Sequence, residues 1–226
     1  MVSMEKDFSK SYKPNTKEFW QNVWFYYRIH IIAGIIVLIL IGYTVNEMVS
    51  RKDPDFAFMY LGSQTLDTEE KTEKFFEKYV TDVNGDGTVY PNVLNLALGD
   101  GKDAQYTSAM LQKAELTLAA DDTPMIMLID EDNIKRYVEM EAFAPIDKLV
   151  KKYGISEDKI LYNGNKKAVC IDVTGTEFAE KIGYIGSKKV YLGLQFKREN
   201  KKNDKDYLKL YAEAERIFEF ILGGKF

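Results

Sequence analysis

Asp55-Phe56-Ala57-Phe58-Met59-Tyr60-Leu61 is apolar at every position after the first. A strand with one wet face alternates apolar and polar residues. A run apolar at odd and even positions alike has both faces covered, as in a parallel sheet between layers of helices. Met125 to Ile129 repeats the pattern and stops at Asp130. Between the two runs, Asp67 and Glu70 stand at the spacing of a capping box, which predicts a helix to about Val80 that buries Phe75, Phe76, Tyr79 and Val80. A strand at Val93–Leu98 follows, and Pro91, which lacks an N–H, suits its start or a sheet edge. Asp103 can cap a second helix, to about Ala120. Further helices are expected at Asn133–Met140 and at Asp147–Tyr153, the latter stopped by Gly154. The remainder reads as a strand at Ala168–Val173, a short helix capped by Thr176, a strand at Val190–Phe196 and a last helix from Lys205 to Leu222. Strands alternating with helices predict an α/β domain, a three-layer mostly parallel sheet of about five strands.

Upstream of this domain, the run Ile29–Val45 reads IHIIAGIIVLILIGYTV, with His30 and Thr44 its clearly polar members. Roughly 17 to 25 apolar residues cross a hydrocarbon core, so one transmembrane helix precedes the domain. Trp20, Trp24, Phe25, Tyr26 and Tyr27 form the aromatic belt expected at lipid headgroups, and Phe19, Trp20, Val23, Trp24 and Tyr27 share a helical face that fits an interfacial helix turning into the membrane. Asn46, Glu47 and Met48 follow the run instead of small residues of a cleavage site, so an uncleaved signal-anchor is expected. Lys6, Lys10, Lys13, Lys17 and Arg28 precede it and only Arg51 and Lys52 follow closely, which places the N-terminus in the cytoplasm and the domain outside. The expected organisation is a cytoplasmic and interfacial aromatic segment at 1–28, the anchor at 29–49, a linker at 50–54 and an extracytoplasmic α/β domain at 55–226, in a single-pass protein of the cell membrane.

The whole chain carries a net charge of −4, and the bases cluster before the anchor, leaving the domain acidic. That balance argues against nucleic acid as a partner. The one cysteine, Cys170, has no partner in the chain for a disulfide. The one histidine, His30, lies in the membrane run, so the domain has neither histidine catalysis nor His-ligated zinc to offer. No nucleophile elbow, phosphate-binding loop or dinucleotide fingerprint occurs, and a non-enzymatic domain is expected.

Two places could hold a ligand. In open α/β sheets, ligands gather at the carboxyl ends of strands. Here those ends carry Ser63 and Gln64, Asp130 and Asp132, and Thr174 and Thr176, although turns and helix caps are the commoner use of such residues. Separately, Asp82, Asn84 and Asp86 match the first half of a calcium loop, with Gly87 at the sharp turn. Position 12 of that loop would be Val93, where a bidentate carboxylate is needed. At most a weak calcium site is therefore expected, and no other cofactor.

The stretches DFAFMYLGSQTLDTEEKTEKFF (Asp55–Phe76), AQYTSAMLQKAELTLAAD (Ala104–Asp121), TPMIMLID (Thr123–Asp130) and EMEAFAPIDKLVKKYG (Glu139–Gly154) resemble, in the order of their elements, one lobe of the extracellular solute-binding proteins of bacterial transporters, the type II periplasmic-binding fold. The resemblance covers roughly Asp55 to Gly154 and implies a strand ending near a ligand cleft. A full binding protein has a second lobe of comparable size, whereas the residues from Ile155 onward are just sufficient to complete the first. The expectation is a membrane-tethered, single-lobe binding or interaction domain, held in the bilayer by its anchor, whose partner is a membrane protein or surface polymer. The alternatives are a structural or assembly subunit of a membrane complex and, third, a hydrolase.

Overall fold

The computed structural model describes residues 16–50, 52–99, 103–120, 123 and 125–224. Lys6, Lys10, Lys13 and Arg51, four of the charges used to orient the helix, lie outside them. The chain divides into two compact units, Met1–Lys52 and Asp53–Phe226.

In the first unit, α1 (Lys17–Ser50) is a helix of 34 residues. The Phe19 N–H donates to Thr16 Oγ1 at 3.3 Å, which caps its start. Its stretch Val23–Val45, 23 residues long, is long and apolar enough to cross a membrane, and none of it is buried. The Thr44 hydroxyl donates to the Leu40 carbonyl at 2.7 Å, so the one hydroxyl of an aliphatic side chain in this stretch is satisfied within the helix, as lipid would require. Trp20, Trp24, Phe25 and Tyr27 are exposed. The helix continues unbroken through this aromatic belt, so belt and apolar stretch form one rod, without the turn expected between them.

The second unit is α/β. Its strands are β1 (Phe56–Gly62), β2 (Pro91–Ala97), β3 (Met125–Asp130), β4 (Ile160–Tyr162), β5 (Ala168–Asp172) and β6 (Val190–Leu194). They form one sheet in the order β2-β1-β3-β6-β5-β4. β1 pairs in parallel with β2 and with β3, whereas β6 is antiparallel to both its neighbours and β4 is antiparallel to β5. The sheet is thus mixed and six-stranded, not five-stranded and mostly parallel throughout; its parallel part is β2-β1-β3. The additional strand, β4, joins β5 through a turn in which Asn163 Oδ1 accepts the N–H groups of Asn165 and Lys167. β2 is an edge strand with Pro91 at its start, and β1 lies one strand in, buried at every position.

Helices cover both faces. Phe56, Phe58 and Tyr60 of β1 share one core with α2 (Glu69–Glu77) and α7 (Lys205–Leu222), where Phe75, Phe76, Phe218 and Ile221 pack. Ala57, Met59 and Leu61 face the other way, onto Ala114 of α3 (Ala104–Ala120) and Tyr137 of α4 (Ile134–Glu139). This is the three-layer arrangement that the two-sided apolarity of β1 requires. Two short helices, α5 (Asp147–Tyr153) and α6 (Glu177–Lys181), complete the unit. α2 is capped one residue later than the sequence suggests. The Thr68 hydroxyl accepts the Lys71 N–H at 3.1 Å, while Asp67 pairs with the Lys71 ammonium on the surface.

Candidate functional site

The order β2-β1-β3, with α2 on one face and α3 on the other, means that the chain leaves β1 in one direction and returns to its far side. That reversal makes a crevice outside the carboxyl ends of β1 and β3. The sequence places Gly62-Ser63-Gln64 at one lip and Asp130-Glu131-Asp132 at the other. The segment Tyr184–Lys189, leading into the antiparallel β6, comes over both.

Asp130 organises the crevice. Its side chain is buried, and Oδ2 accepts the Ser63 N–H at 2.7 Å and the Ser63 hydroxyl at 2.8 Å. Oδ1 accepts the Asn133 N–H at 3.2 Å and the Asn133 side-chain amide at 2.7 Å. Four donors occupy both oxygens of this carboxylate and tie the two lips together.

The covering segment is tied down by named contacts. Gln64 Oε1 accepts the Ser187 N–H at 2.8 Å, and the Tyr184 hydroxyl donates to the Lys188 carbonyl at 2.8 Å. A side chain at Gly186 would collide with the Tyr184 hydroxyl and Gln64 Oε1, so only glycine lets the segment lie this close. Lys188 then reaches back: its ammonium donates to Ser63 Oγ at 3.0 Å and forms an ion pair with Asp132. The hydrogen bond from Lys188 is the main reason the Asp132 carboxyl is held below the usual carboxylate range, and the same pairing raises Lys188. The Lys188 ammonium thus donates to Ser63 Oγ, and the Ser63 hydroxyl in turn donates to Asp130.

One buried group is left over. Tyr60 is fully buried, and its hydroxyl has no acceptor among the described residues. A Cβ added at Gly62 would fall 2.4 Å from this oxygen and 3.2 Å from Asp130 Oδ2. The phenol thus runs along the strand, over a glycine, and ends beside the Ser63–Asp130 cluster. Burial, with the charge of Asp130 nearby, pushes its pKa well up, so it is a neutral donor lacking an acceptor.

Of the six ligand candidates, the structure brings Ser63, Gln64, Asp130 and Asp132 together. Thr174 and Thr176 lie at the same edge beyond β6. Thr174 Oγ1 accepts the Val190 N–H at 2.9 Å, and Thr176 caps α6 and lines a separate hollow of about 230 Å³ with Ile171, Phe178 and Ile221. Tyr60, Lys188, Tyr184 and Asn133 were not legible as site residues. Tyr60 alone left a trace, as the one polar tip in an otherwise apolar run two residues before a glycine.

The Asp82–Thr88 loop uses its oxygens on itself. Asp82 accepts the Gly85 and Gly87 N–H groups, Asn84 Oδ1 accepts that of Asp86, and Asp86 Oδ1 accepts that of Thr88. Among the described residues no group of three or more acids, cysteines or histidines is placed to hold a metal ion. Cys170 is completely buried, which pushes its thiol up and away from reactivity. No family model, no curated protein and no solved structure matches the chain.

Proposed function

We propose that this protein is a membrane-tethered binding domain. α1 crosses the bilayer once with its N-terminus in the cytoplasm, and the α/β unit outside recognises its partner at the β1/β3 edge without catalysing a reaction. The observation that carries the tether is the Val23–Val45 stretch, whose apolar side chains are exposed on every side of the helix. In water that surface would drive aggregation; in lipid it needs no cover. The exposed Trp20, Trp24 and Tyr27 fit the headgroup level at its start.

The binding role is supported by the β1/β3 edge, where a saturated carboxylate, Asp130, stands beside the Tyr60 hydroxyl and holds Ser63, which the exposed Lys188–Asp132 pair contacts. The Ser63 hydroxyl is held between the Lys188 ammonium and the Asp130 carboxylate, an arrangement that suits holding a ligand. The likeness of Asp55–Gly154 to one lobe of a solute-binding protein supports the same reading. Asp53–Phe226 forms a single unit around a single sheet, so within this chain a small solute is held at an open edge and not between lobes. Weak affinity for free solutes, with a membrane protein or surface polymer as the main partner, follows from that openness.

Sidedness is the test. Protease added to intact spheroplasts should remove the α/β domain and leave a short fragment containing α1. Complete protection of the domain, with digestion only after lysis, would refute the orientation.

A further inference from the structure

Asparagine followed by glycine occurs twice in the α/β unit, at Asn84-Gly85 and at Asn163-Gly164. Glycine places no side chain over its own nitrogen, so that nitrogen can approach the side-chain amide carbon of the residue before it. The two pairs are held differently. In the Asp82–Thr88 loop the attacking nitrogen is occupied, since the Gly85 N–H donates to Asp82 Oδ1 at 2.7 Å. The departing nitrogen is occupied as well, because Asn84 Nδ2 donates to the Asp53 carbonyl at 2.9 Å. In the β4–β5 turn neither is tied. Gly164 is exposed, and among the described residues no group accepts from its N–H or from Asn163 Nδ2. What is held there is the oxygen: Asn163 Oδ1 accepts the Asn165 N–H at 3.1 Å and the Lys167 N–H at 3.0 Å. Asn84 Oδ1 has one such donor, the Asp86 N–H.

Attack by the Gly164 nitrogen on Asn163 Cγ pushes the carbonyl electron pair onto Oδ1, where two main-chain N–H groups already point. Donors fixed where negative charge develops lower a barrier without having to reorganise. We infer that Asn163 is a site of spontaneous modification, converted to aspartate and isoaspartate through a cyclic imide with Gly164. The step needs water alone. The Gly164 nitrogen gives up its proton and bonds to Asn163 Cγ, the Cγ–Nδ2 bond breaks, and the amide nitrogen leaves with that proton as ammonia. Water then opens the imide: cleavage at Cγ gives aspartate, and cleavage at the main-chain carbonyl carbon gives isoaspartate. Aspartate keeps an acceptor for both N–H groups and adds a negative charge. Isoaspartate reroutes the main chain through Cγ and takes Oδ1 out of its place. β4 is three residues long and ends at Tyr162, so the change falls on the junction through which it pairs with β5.

The test incubates the full chain in lipid nanodiscs at mildly alkaline pH and follows tryptic peptides by mass spectrometry, with fragmentation to place the change and to separate isoaspartate from aspartate. Asn163 should convert about tenfold or more faster than Asn84, less than an oxyanion donor is worth in an enclosed site because this turn is open to water. In concentrated urea both pairs are released from their contacts, and the two rates should agree within about threefold. Gly164→Ala should slow Asn163 to the rate of Asn84 or below, because a methyl group then shields the nitrogen. Gly164 has no left-handed φ and a Cβ there meets nothing within 4 Å, so this variant keeps the turn. Equal rates at the two asparagines in the folded chain, a gap that persists in urea, or conversion of Asn163 indifferent to Gly164→Ala would each overturn the assignment.

Discussion

The domain carries two buried aspartates at opposite ends of its parallel strands, and they are used differently. Asp55, just before β1, accepts three main-chain N–H groups: Val83 at 2.8 Å, Asn84 at 3.1 Å and Tyr90 at 3.0 Å. These bonds staple the turn-rich Asp82–Thr88 loop to the sheet, and among the described residues no buried side-chain polar atom of that loop lacks a partner. Asp130, at the far end of β3, is equally saturated, but its donors are mostly the side chains and loop of a crevice. Beside it stands a hydroxyl with no partner, and above it an exposed ion pair. Two buried carboxylates of the same chemistry therefore mark a closed seam and the edge proposed as the binding site. What separates them is the completeness of their surroundings.

Replacing each aspartate tests this contrast most directly. Asp55→Ala leaves three N–H donors without an acceptor and should cost about 3 kcal/mol or more. Asp130→Ala should cost less, about 1 to 3 kcal/mol, because Ser63 and Asn133 lie at the edge and can turn to water. Urea titrations of the detergent-solubilised chain, followed by near-ultraviolet circular dichroism, would rank them. Equal losses would erase the distinction between seam and site.

A third buried carboxylate sharpens the comparison through pH. Burial alone would raise the Glu213 pKa, but Arg216 and the Thr81 N–H, at 2.7 Å, outweigh it and the folded pKa is lowered from 4.5. A group depressed on folding stabilises above its unfolded pKa and loses that contribution as pH falls through the folded value. Glu213→Gln should cost about 1 to 3 kcal/mol at neutral pH, and the gap from the parent chain should narrow steadily below about pH 4.5. A gap independent of pH would show that the charge is not what holds the α7–Thr81 contact.

Smaller still is the effect of Tyr60→Phe on stability. Removing a buried hydroxyl with no partner should be neutral or stabilising by up to about 1 kcal/mol. If the variant instead loses more than about 1 kcal/mol, an ordered water completes the hydroxyl and the open site is closed after all. Last, calcium at micromolar concentration should leave the thermal midpoint of the chain unmoved, because Val93 stands where the closing carboxylate belongs. A shift of several degrees would turn the loop beside Asp55 from a seam into a metal site.

Much of this arrangement was legible in the sequence because burial on both faces leaves a plain signature. β1, β3, the stop of α5 at Gly154 and the edge position of β2 follow from apolar runs, one left-handed glycine and one proline. Strand direction leaves no such mark. Val190–Leu194 is apolar whichever way it runs, so β6 read as one more parallel strand, although the chain returns antiparallel between β3 and β5. β4 is only three residues long, with Asn163-Gly164-Asn165 as its sole signal. The site was half legible for a related reason. Residues at strand ends can be found by counting along β1 and β3, whereas Lys188 arrives from a segment more than fifty residues later, and which strand end it would cover depends on the direction of β6.

Cys170 sits mid-strand in β5, one strand in from the edge and in register with Gly193, where the Phe143 ring lies so close that a side chain at Gly193 would strike both it and the sulfur. The protein's only thiol is therefore sealed against reagents as long as β5 and β6 stay zipped. A cysteine introduced on the surface, on either side of α1, can then be labelled alone, with the native residue left in place. Impermeant maleimides would report which side of the bilayer each added thiol occupies. The slow reaction of Cys170 itself, timed in the same sample, would serve as an internal clock for how often the sheet opens.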